Sequence, residues 1–259
     1  MKLKAGCELV MSAPNPVPLV AMLRPRSGEA QWIISERYEL DPFVRAVEYV
    51  DAFGNLCQRL TAPAGKFRVL TEVAIEVTDV IAVAEGAAPT DAESLPDYAL
   101  QFLLPSRYCP SDTTEELAKK ISHGKTEGYD QVESIRAWIR ENIEYRYGVS
   151  NGSTSALDTL HDKAGVCRDF SHIGISLCRA LRIPARMVVG YLYLLDPMDL
   201  HAWFEAYVAG RWYTFDATQA EPKGGRITIA YGRDAADVAI VTNLAPLKTD
   251  STRAWVERL

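Results

Sequence analysis

Three residues of this chain could together carry out covalent chemistry: Cys167, His201 and Asp216. A thiolate can attack a carbonyl carbon, an imidazole can move the proton, and a carboxylate can hold that imidazole in one tautomer. Taken singly, each has an ordinary explanation. A lone cysteine is usually a small core hydrophobe. A strand histidine is usually a satisfied polar group, and an aspartate at a strand end usually shapes a turn. Their placement in the sequence argues for a joint role.

A helix is predicted from near Cys167 to before Pro184. At about 100° per residue, Phe170, Ile173, Gly174, Leu177, Cys178, Ala180 and Leu181 share one arc. Arg168, Asp169, His172, Ser176 and Arg179 fall opposite, with Ile175 the exception. Cys167 sits at the edge of the apolar arc, on the first turn, where unpaired N–H groups favour negative charge and can donate to an oxyanion. A thiol there ionises more readily. Gly165, two residues earlier, suits an abrupt backbone entry. Cys178 lies on nearly the same face but about 16 Å further along the axis, so its expected role is packing.

The base and its orienter come from a predicted hairpin, His201–Val208 and Arg211–Asp216, around Ala209-Gly210. A two-residue turn opposes Val208 to Arg211, hence Trp203 to Asp216 and His201 to Thr218. Side-chain alternation then puts His201, Trp203 and Asp216 on one face. His201 and Asp216 become diagonal neighbours, with backbones about 7–8 Å apart, a gap their side chains can bridge. Trp203 either walls the site or packs.

These residues sit in blocks that resemble the transglutaminase-like core of papain-type cysteine enzymes. The blocks are Gly165-Val-Cys-Arg-Asp-Phe-Ser-His172, Cys178-Arg-Ala-Leu-Arg-Ile-Pro-Ala-Arg186 with Val189-Gly-Tyr, His201-Ala-Trp-Phe-Glu-Ala-Tyr, and Trp212-Tyr-Thr-Phe-Asp-Ala-Thr218. The resemblance is dense from about residue 130 to 220. Residues 1–105 also resemble the β-rich region that precedes this core in bacterial transglutaminase-like proteins. The resemblance implies a triad with Cys167 as nucleophile, His201 as general base and acid, and Asp216 as orienter. The implied reaction is acyl transfer at an amide of a peptide or protein through a thioester. Hydrolysis, as a peptidase or amidase, is the first expectation, because water is abundant and needs no second site. Transamidation by a primary amine and a non-catalytic scaffold are the alternatives. No acidic loop comparable to the calcium sites of the animal enzymes is seen, so no cofactor and no metal are expected.

Other signals are weaker. Gly148-Val-Ser-Asn-Gly152 matches G-x-S-x-G, but a helix precedes it and an irregular loop follows, the wrong context for a nucleophile elbow. His172 lies about 140° around the helix from Cys167 and is expected to make a structural hydrogen bond. Asp169 is expected to bond amides near the helix start or to pair with an arginine. His161 and Asp162 read as surface, and no histidine has a partner at metal-binding spacing. A second oxyanion donor could come from Asn151, Thr154 or Ser155.

The rest of the chain must position this set. Its 259 residues are 48% hydrophobic and 24% charged, with mean hydropathy −0.08. That composition is globular and excludes a disordered or fibrous chain. No apolar run approaches a membrane span, and no signal peptide is read at the start. The net charge of −6 disfavours nucleic acid. Five scattered cysteines make neither a disulfide framework nor a zinc site, and suggest a reducing cytoplasm. Period-two patterns near Arg45–Val50, Leu56–Leu60 and Phe67–Thr78 predict an antiparallel, sandwich-like β domain over 1–105. Ala84 to Pro96 reads as a linker or exposed loop. From about Pro105, helices capped at Asp112 and Asp130 lead to Cys167. Residues 106–259 are therefore expected to be a papain-like transglutaminase-type domain with helices packed on an antiparallel sheet. The fold class is α+β.

Overall fold

The computed structural model describes residues 1–28 and 30–259. The chain opens with strands β1 (Lys2–Ala13), β2 (Val17–Ala21), β3 (Gln31–Asp41), β4 (Val47–Val50), β5 (Leu56–Ala62) and β6 (Gly65–Val77). Helices α1 (Asp97–Leu100), α2 (Glu115–Ile121) and α3 (Tyr129–Asn142) follow, then the short strand β7 (Glu144–Tyr145), α4 (Ala156–Asp162), β8 (Ala164–Gly165) and α5 (Cys167–Ala180). The remainder is β9 (Ala185–Leu192), β10 (His201–Val208), β11 (Arg211–Phe215), β12 (Arg226–Gly232), β13 (Val241–Asn243) and β14 (Lys248–Arg258).

The period-two patterns of the first region are realised in two four-stranded sheets, ordered β14-β1-β6-β3 and β13-β2-β5-β4. In β6 the alternation predicted for Val73, Ile75 and Val77 puts all three inside, while Glu76 faces out. On β1, Leu3 lies opposite Ile75, Ala5 opposite Val73 and Met11 opposite Phe67, all in the same core. Such side chains, wholly removed from water, contribute about 1.5–3 kcal/mol each. One strand of each sheet comes from the end of the chain. Gly6 lets Trp255 of β14 close onto β1, since a Cβ there would stand 2.2 Å from the indole.

The second unit is an antiparallel sheet, β11-β10-β9-β12, packed on α5. Gly174 of α5 touches the ring of Phe204 on β10 so closely that a Cβ would lie 2.4 Å from it. That contact fixes the depth at which the helix sits on the sheet. α3 packs against α5, with Val132, Ile135 and Ile139 buried and Trp138 half-buried against the same core. The opposite arc of α5 is also covered: Asp169, His172, Ser176 and Arg179 are all buried. Arg179 is satisfied there by the carbonyls of Leu104, Ala185 and Arg233.

Two expected helix starts are corrected. Asp112 lies in a 3-10 turn, Ser111–Thr113, and α2 is capped at Thr114. Asp130 lies inside α3, whose cap is Gly128 with φ +98°. A Cβ on Gly128 would stand 2.3 Å from the Ala87 carbonyl. The Asp130 carboxylate instead accepts from the Gly86 N–H, and Tyr129 N–H donates to Ala87 O. The Ala84–Pro96 stretch is a surface segment tied down by these bonds, and by Gly210 N–H donating to Thr90. Among the described residues, no helix is long and apolar enough to cross a membrane.

Candidate active site

Cys167 is the first residue of α5, following Val166, whose backbone is extended. Asp169 closes this entry: its Oδ2 accepts from Val166 N–H at 3.0 Å while Oδ1 pairs with Arg168 at 2.7 Å. Both roles expected for Asp169 are therefore present. Gly165 serves a different need from the one expected. It has no left-handed φ; a Cβ there would stand 2.7 Å from the Asp169 side chain and 2.9 Å from Thr159. Close packing, rather than an unusual turn, requires the glycine. Cys167 is half-buried, whereas Cys7, Cys57, Cys109 and Cys178 are all buried. Burial pushes the thiols of Cys7 and Cys109 up to about 12 and that of Cys178 well above its ordinary value.

The hairpin has the register derived from its two-residue turn, with Val208 opposite Arg211 and Phe204 opposite Phe215. The ladder stops at Phe215, and Asp216 turns toward the first residue of β10. There His201 Nε2 meets Asp216 Oδ2 at 2.7 Å. The other ring nitrogen, Nδ1, is left for the Cys167 sulfur, which interacts with the ring. Oδ1 of Asp216 accepts from Thr218 N–H at 3.0 Å and Thr218 O–H at 2.7 Å. Oδ2 also accepts from Arg226 Nη2 at 2.8 Å. Thus helix start, strand start and strand end bring the three predicted residues to one point.

The charges follow from these neighbours. Burial works against a charge on His201, but the Asp216 carboxylate, with the Cys167 sulfur adding to it, outweighs burial and raises the imidazole to about 9. Burial would raise the Asp216 carboxyl; Arg226, His201 and Thr218 together hold it well below the usual carboxylate range. A cavity of about 210 Å³ opens over the set, walled by Tyr145, Tyr147, Leu195, Pro197 and Leu200. A larger space of about 610 Å³ lies on the other side of Trp203 and Arg226, with no cysteine or histidine in its walls.

Sequence reasoning missed several participants. Tyr145 and Tyr147 reach Cys167 because β7 pairs in parallel with β8, Tyr145 opposite Gly165. The Tyr145 phenol faces the Cys167 sulfur and main-chain N–H; burial first, and then that sulfur, push it upward. Thr218 was expected opposite His201 and does lie 3.5 Å from its ring, but its bonds to Asp216 were not foreseen.

The remaining candidates lie elsewhere. Asn151 N–H donates to Thr154 Oγ1, and Ser155 caps α4 in a reciprocal box with Asp158. None of these three lines the cavity over Cys167. His172 is wholly buried, stacked on Tyr108 at 5.1 Å, and its Nε2 accepts from Ala235 N–H at 3.2 Å. His161 is exposed at the end of α4. Trp203 is 1% exposed and packs under Arg226, 6.1 Å from the His201 ring. Among the described residues, no group of three His, Cys, Asp or Glu side chains could hold a metal.

Comparisons with known proteins give the family. The core of the transglutaminase-like superfamily matches residues 115–217, a span that contains Cys167, His201 and Asp216. An uncharacterised protein of Mycobacterium leprae is 30% identical over 232 residues, covering 85% of this chain and 83% of that protein. One of Mycobacterium tuberculosis is 27% identical over 249 residues, covering 83% and 77%. A crystal structure from Cytophaga hutchinsonii, described as a candidate cysteine protease, is 35% identical. It superposes with a TM-score of 0.93 over all of this chain and 91% of that one. The chain belongs to the transglutaminase-like superfamily.

Proposed function

We propose that this protein is a cysteine-dependent acyl-transfer enzyme that cleaves amide bonds of a peptide or protein through a thioester, as a peptidase or amidase. The observation that carries the reading is the buried His201–Asp216 pair, 2.7 Å apart, at the mouth of the helix that begins with Cys167. An imidazole raised to about 9 is protonated at neutral pH. It therefore faces the sulfur as an imidazolium, able to give a proton to a leaving group.

In the first half-reaction the Cys167 sulfur forms a bond to the carbonyl carbon. The oxygen takes up the electron pair beside the Cys167 N–H. The C–N bond then breaks, and His201 gives its Nδ1 proton to the departing amine. In the second half, neutral His201 takes a proton from water, and the hydroxide oxygen bonds to the thioester carbon. The C–S bond breaks, releasing a carboxylic acid and the thiolate, with the imidazolium restored. Asp216, kept ionised, holds Nε2–H throughout.

The division near Pro105 remains part of this proposal: a β-rich unit carries the catalytic one, with the last strand docked back on β1. We place the protein in a reducing, cytoplasmic setting, which suits five unpaired thiols.

Alkylation by iodoacetamide tests the thiol–imidazole pair. At pH 6, Cys167 is expected to react at least about 100-fold faster than free cysteine, and His201→Ala is expected to remove that advantage. A rate no faster than free cysteine would point to a non-catalytic scaffold. Incubation with glutamine-containing peptides, with and without a primary amine, tests the acceptor. New termini or ammonia without amine uptake means hydrolysis; amine incorporation means transamidation.

A further inference from the structure

Asp216 is held by more than the imidazole it orients. Both of its oxygens are saturated, Oδ1 by the N–H and O–H of Thr218 and Oδ2 by His201 and Arg226. Arg226 lies outside the segment that matches the superfamily core, at the start of β12, opposite Leu192 of β9. It is fixed on three sides. Its Nε donates to Lys223 O at 3.0 Å, its guanidinium lies 4.9 Å from the Trp203 ring centre, and Nη2 reaches Asp216. Gly190 beside the indole lets β12 approach, since a Cβ there would stand 1.9 Å from the Ile227 carbonyl oxygen and 3.1 Å from the Trp203 ring. The side chain is 8% exposed, and Nη1 has no hydrogen-bond partner among the described residues.

A buried guanidinium with an orphaned donor is costly to keep. An arginine retained only for stability would be expected to satisfy its donors. This one shares a single carboxylate oxygen with the imidazole that faces Cys167. We propose that Arg226 is a positioning residue: it clamps Asp216 from behind, so that the carboxylate cannot swing away from His201, and its cation limits how strongly that carboxylate holds the imidazolium proton. The inference rests on the proposed Cys167–His201 pair and deepens it.

The charged and titratable groups around this point are few. Cys167 of α5 faces His201, and Arg136 of α3 senses Asp216 while its Nη1 donates to Gln219 O. Arg140 of α3 donates to Thr218 O, Tyr145 of β7 faces Cys167, and Asp196 and Asp199 line the same cavity. Apart from the imidazolium itself, Arg226 is the one cation among the described residues that makes a direct bond to Asp216. Removing its charge leaves the carboxylate less neutralised, so the imidazolium should keep its proton to higher pH.

The test uses the full chain with ring-labelled histidine, following the His201 NMR resonance across pH 5–10, with iodoacetamide alkylation of Cys167 at pH 6 in parallel. His201→Ala assigns the resonance. Arg226→Gln is expected to raise the His201 midpoint by at least about half a pH unit and to slow alkylation about tenfold, as the carboxylate loses its clamp. Arg226→Lys is expected to hold the midpoint near that of the unaltered protein while recovering only part of the rate, because an ammonium lacks the planar fork. An unchanged midpoint and rate in Arg226→Gln would overturn the inference while His201→Ala still abolished the enhanced reactivity. Should Arg226→Gln fail to fold, Arg226→Lys decides: a full rate there overturns the clamp. If His201→Ala leaves alkylation unaltered, the thiol–imidazole reading itself fails, which is a separate result.

Discussion

Two imidazoles are buried in this protein, and their surroundings drive them in opposite directions. His172 lies in the interior of α5, flat against Tyr108, with the Ala235 N–H bonded to its Nε2. Burial, helped by the cations Arg168 and Arg179, pushes it down to about 3. His201 is buried almost as deeply, and burial pulls it the same way, yet Asp216 at 2.7 Å and the Cys167 sulfur carry it up to about 9. Desolvation penalises any charge, whereas a fixed carboxylate selects which proton state survives. The state of a buried histidine is thus set by the sign of the charge built beside it.

Asp216→Asn is the substitution that should break this contrast most completely. It leaves shape and burial in place but removes the charge, and it leaves Arg226 as an uncompensated cation beside the ring. His201 is then expected to behave as His172 does, with its midpoint falling below the ordinary 6.5. Alkylation of Cys167 at pH 6 is expected to fall about 100-fold, and any hydrolytic rate at least as far. Histidine NMR and the alkylation rate check both. A His201 midpoint still near 9 would show that something other than Asp216 holds its proton.

The same contrast predicts opposite pH dependences of stability. His201 is raised above its unfolded value. The stability it contributes is fully present below pH 6.5 and is lost as pH rises toward about 9. His172 is depressed, so its contribution is present above pH 6.5 and is lost as pH falls toward about 3. His172→Phe keeps the stack on Tyr108 and is expected to flatten the acid side of a melting-temperature profile. At neutral pH it should lower stability by about 1 kcal/mol through the lost Ala235 bond, and it should leave the pH 7 reaction rate within about threefold. His201→Gln should flatten the basic side instead. Calorimetry at five or six pH values separates them, and a parallel response of the two variants would contradict the assignment.

The parts of this site that were legible in the sequence are those set by local periodicity. Helix spacing placed Cys167 on a first turn, and strand alternation across Ala209-Gly210 placed His201 beside Asp216. Both are rules of a few residues' reach, and neither depends on the rest of the fold. What stayed hidden depends on distant contacts. Tyr145 reaches Cys167 through a parallel pairing of two-residue strands, which leaves no period to read. Arg226 reaches Asp216 from a strand on the far side of β9, behind a loop with Pro222 and two glycines. The helix caps failed for a related reason. Asp112 and Asp130 are good capping residues by type, but tertiary contacts with the 84–90 segment and the 3-10 turn moved the helix starts. β14 carries Lys248, Asp250, Arg253, Glu257 and Arg258 on a half-exposed edge, so nothing in its own pattern announces that it completes the sheet of β1.

The smallest expected effect concerns the second cysteine of α5, and it sharpens the difference between a helix mouth and a helix interior. Cys178 shares a helix and nearly a face with Cys167, so sequence environment alone separates them poorly. Its thiol is wholly buried, and desolvation, opposed only by Arg179, drives it well above the ordinary range. It therefore stays a neutral packing group. Cys178→Ala removes about one heavy atom's worth of buried contact, which costs about 1 kcal/mol and lowers the melting temperature by about 2–4 °C. Alkylation of Cys167, and its pH dependence, should be unchanged. Brief iodoacetamide treatment of the unaltered protein, followed by mass spectrometry, should find a single adduct, on Cys167. Comparable labelling of Cys178 in the folded protein would mean that α5 opens on the timescale of the reaction. Reactivity would then report on access, and the position of Cys167 at the first turn would lose its claim to explain why that sulfur, among five, is the one poised to react.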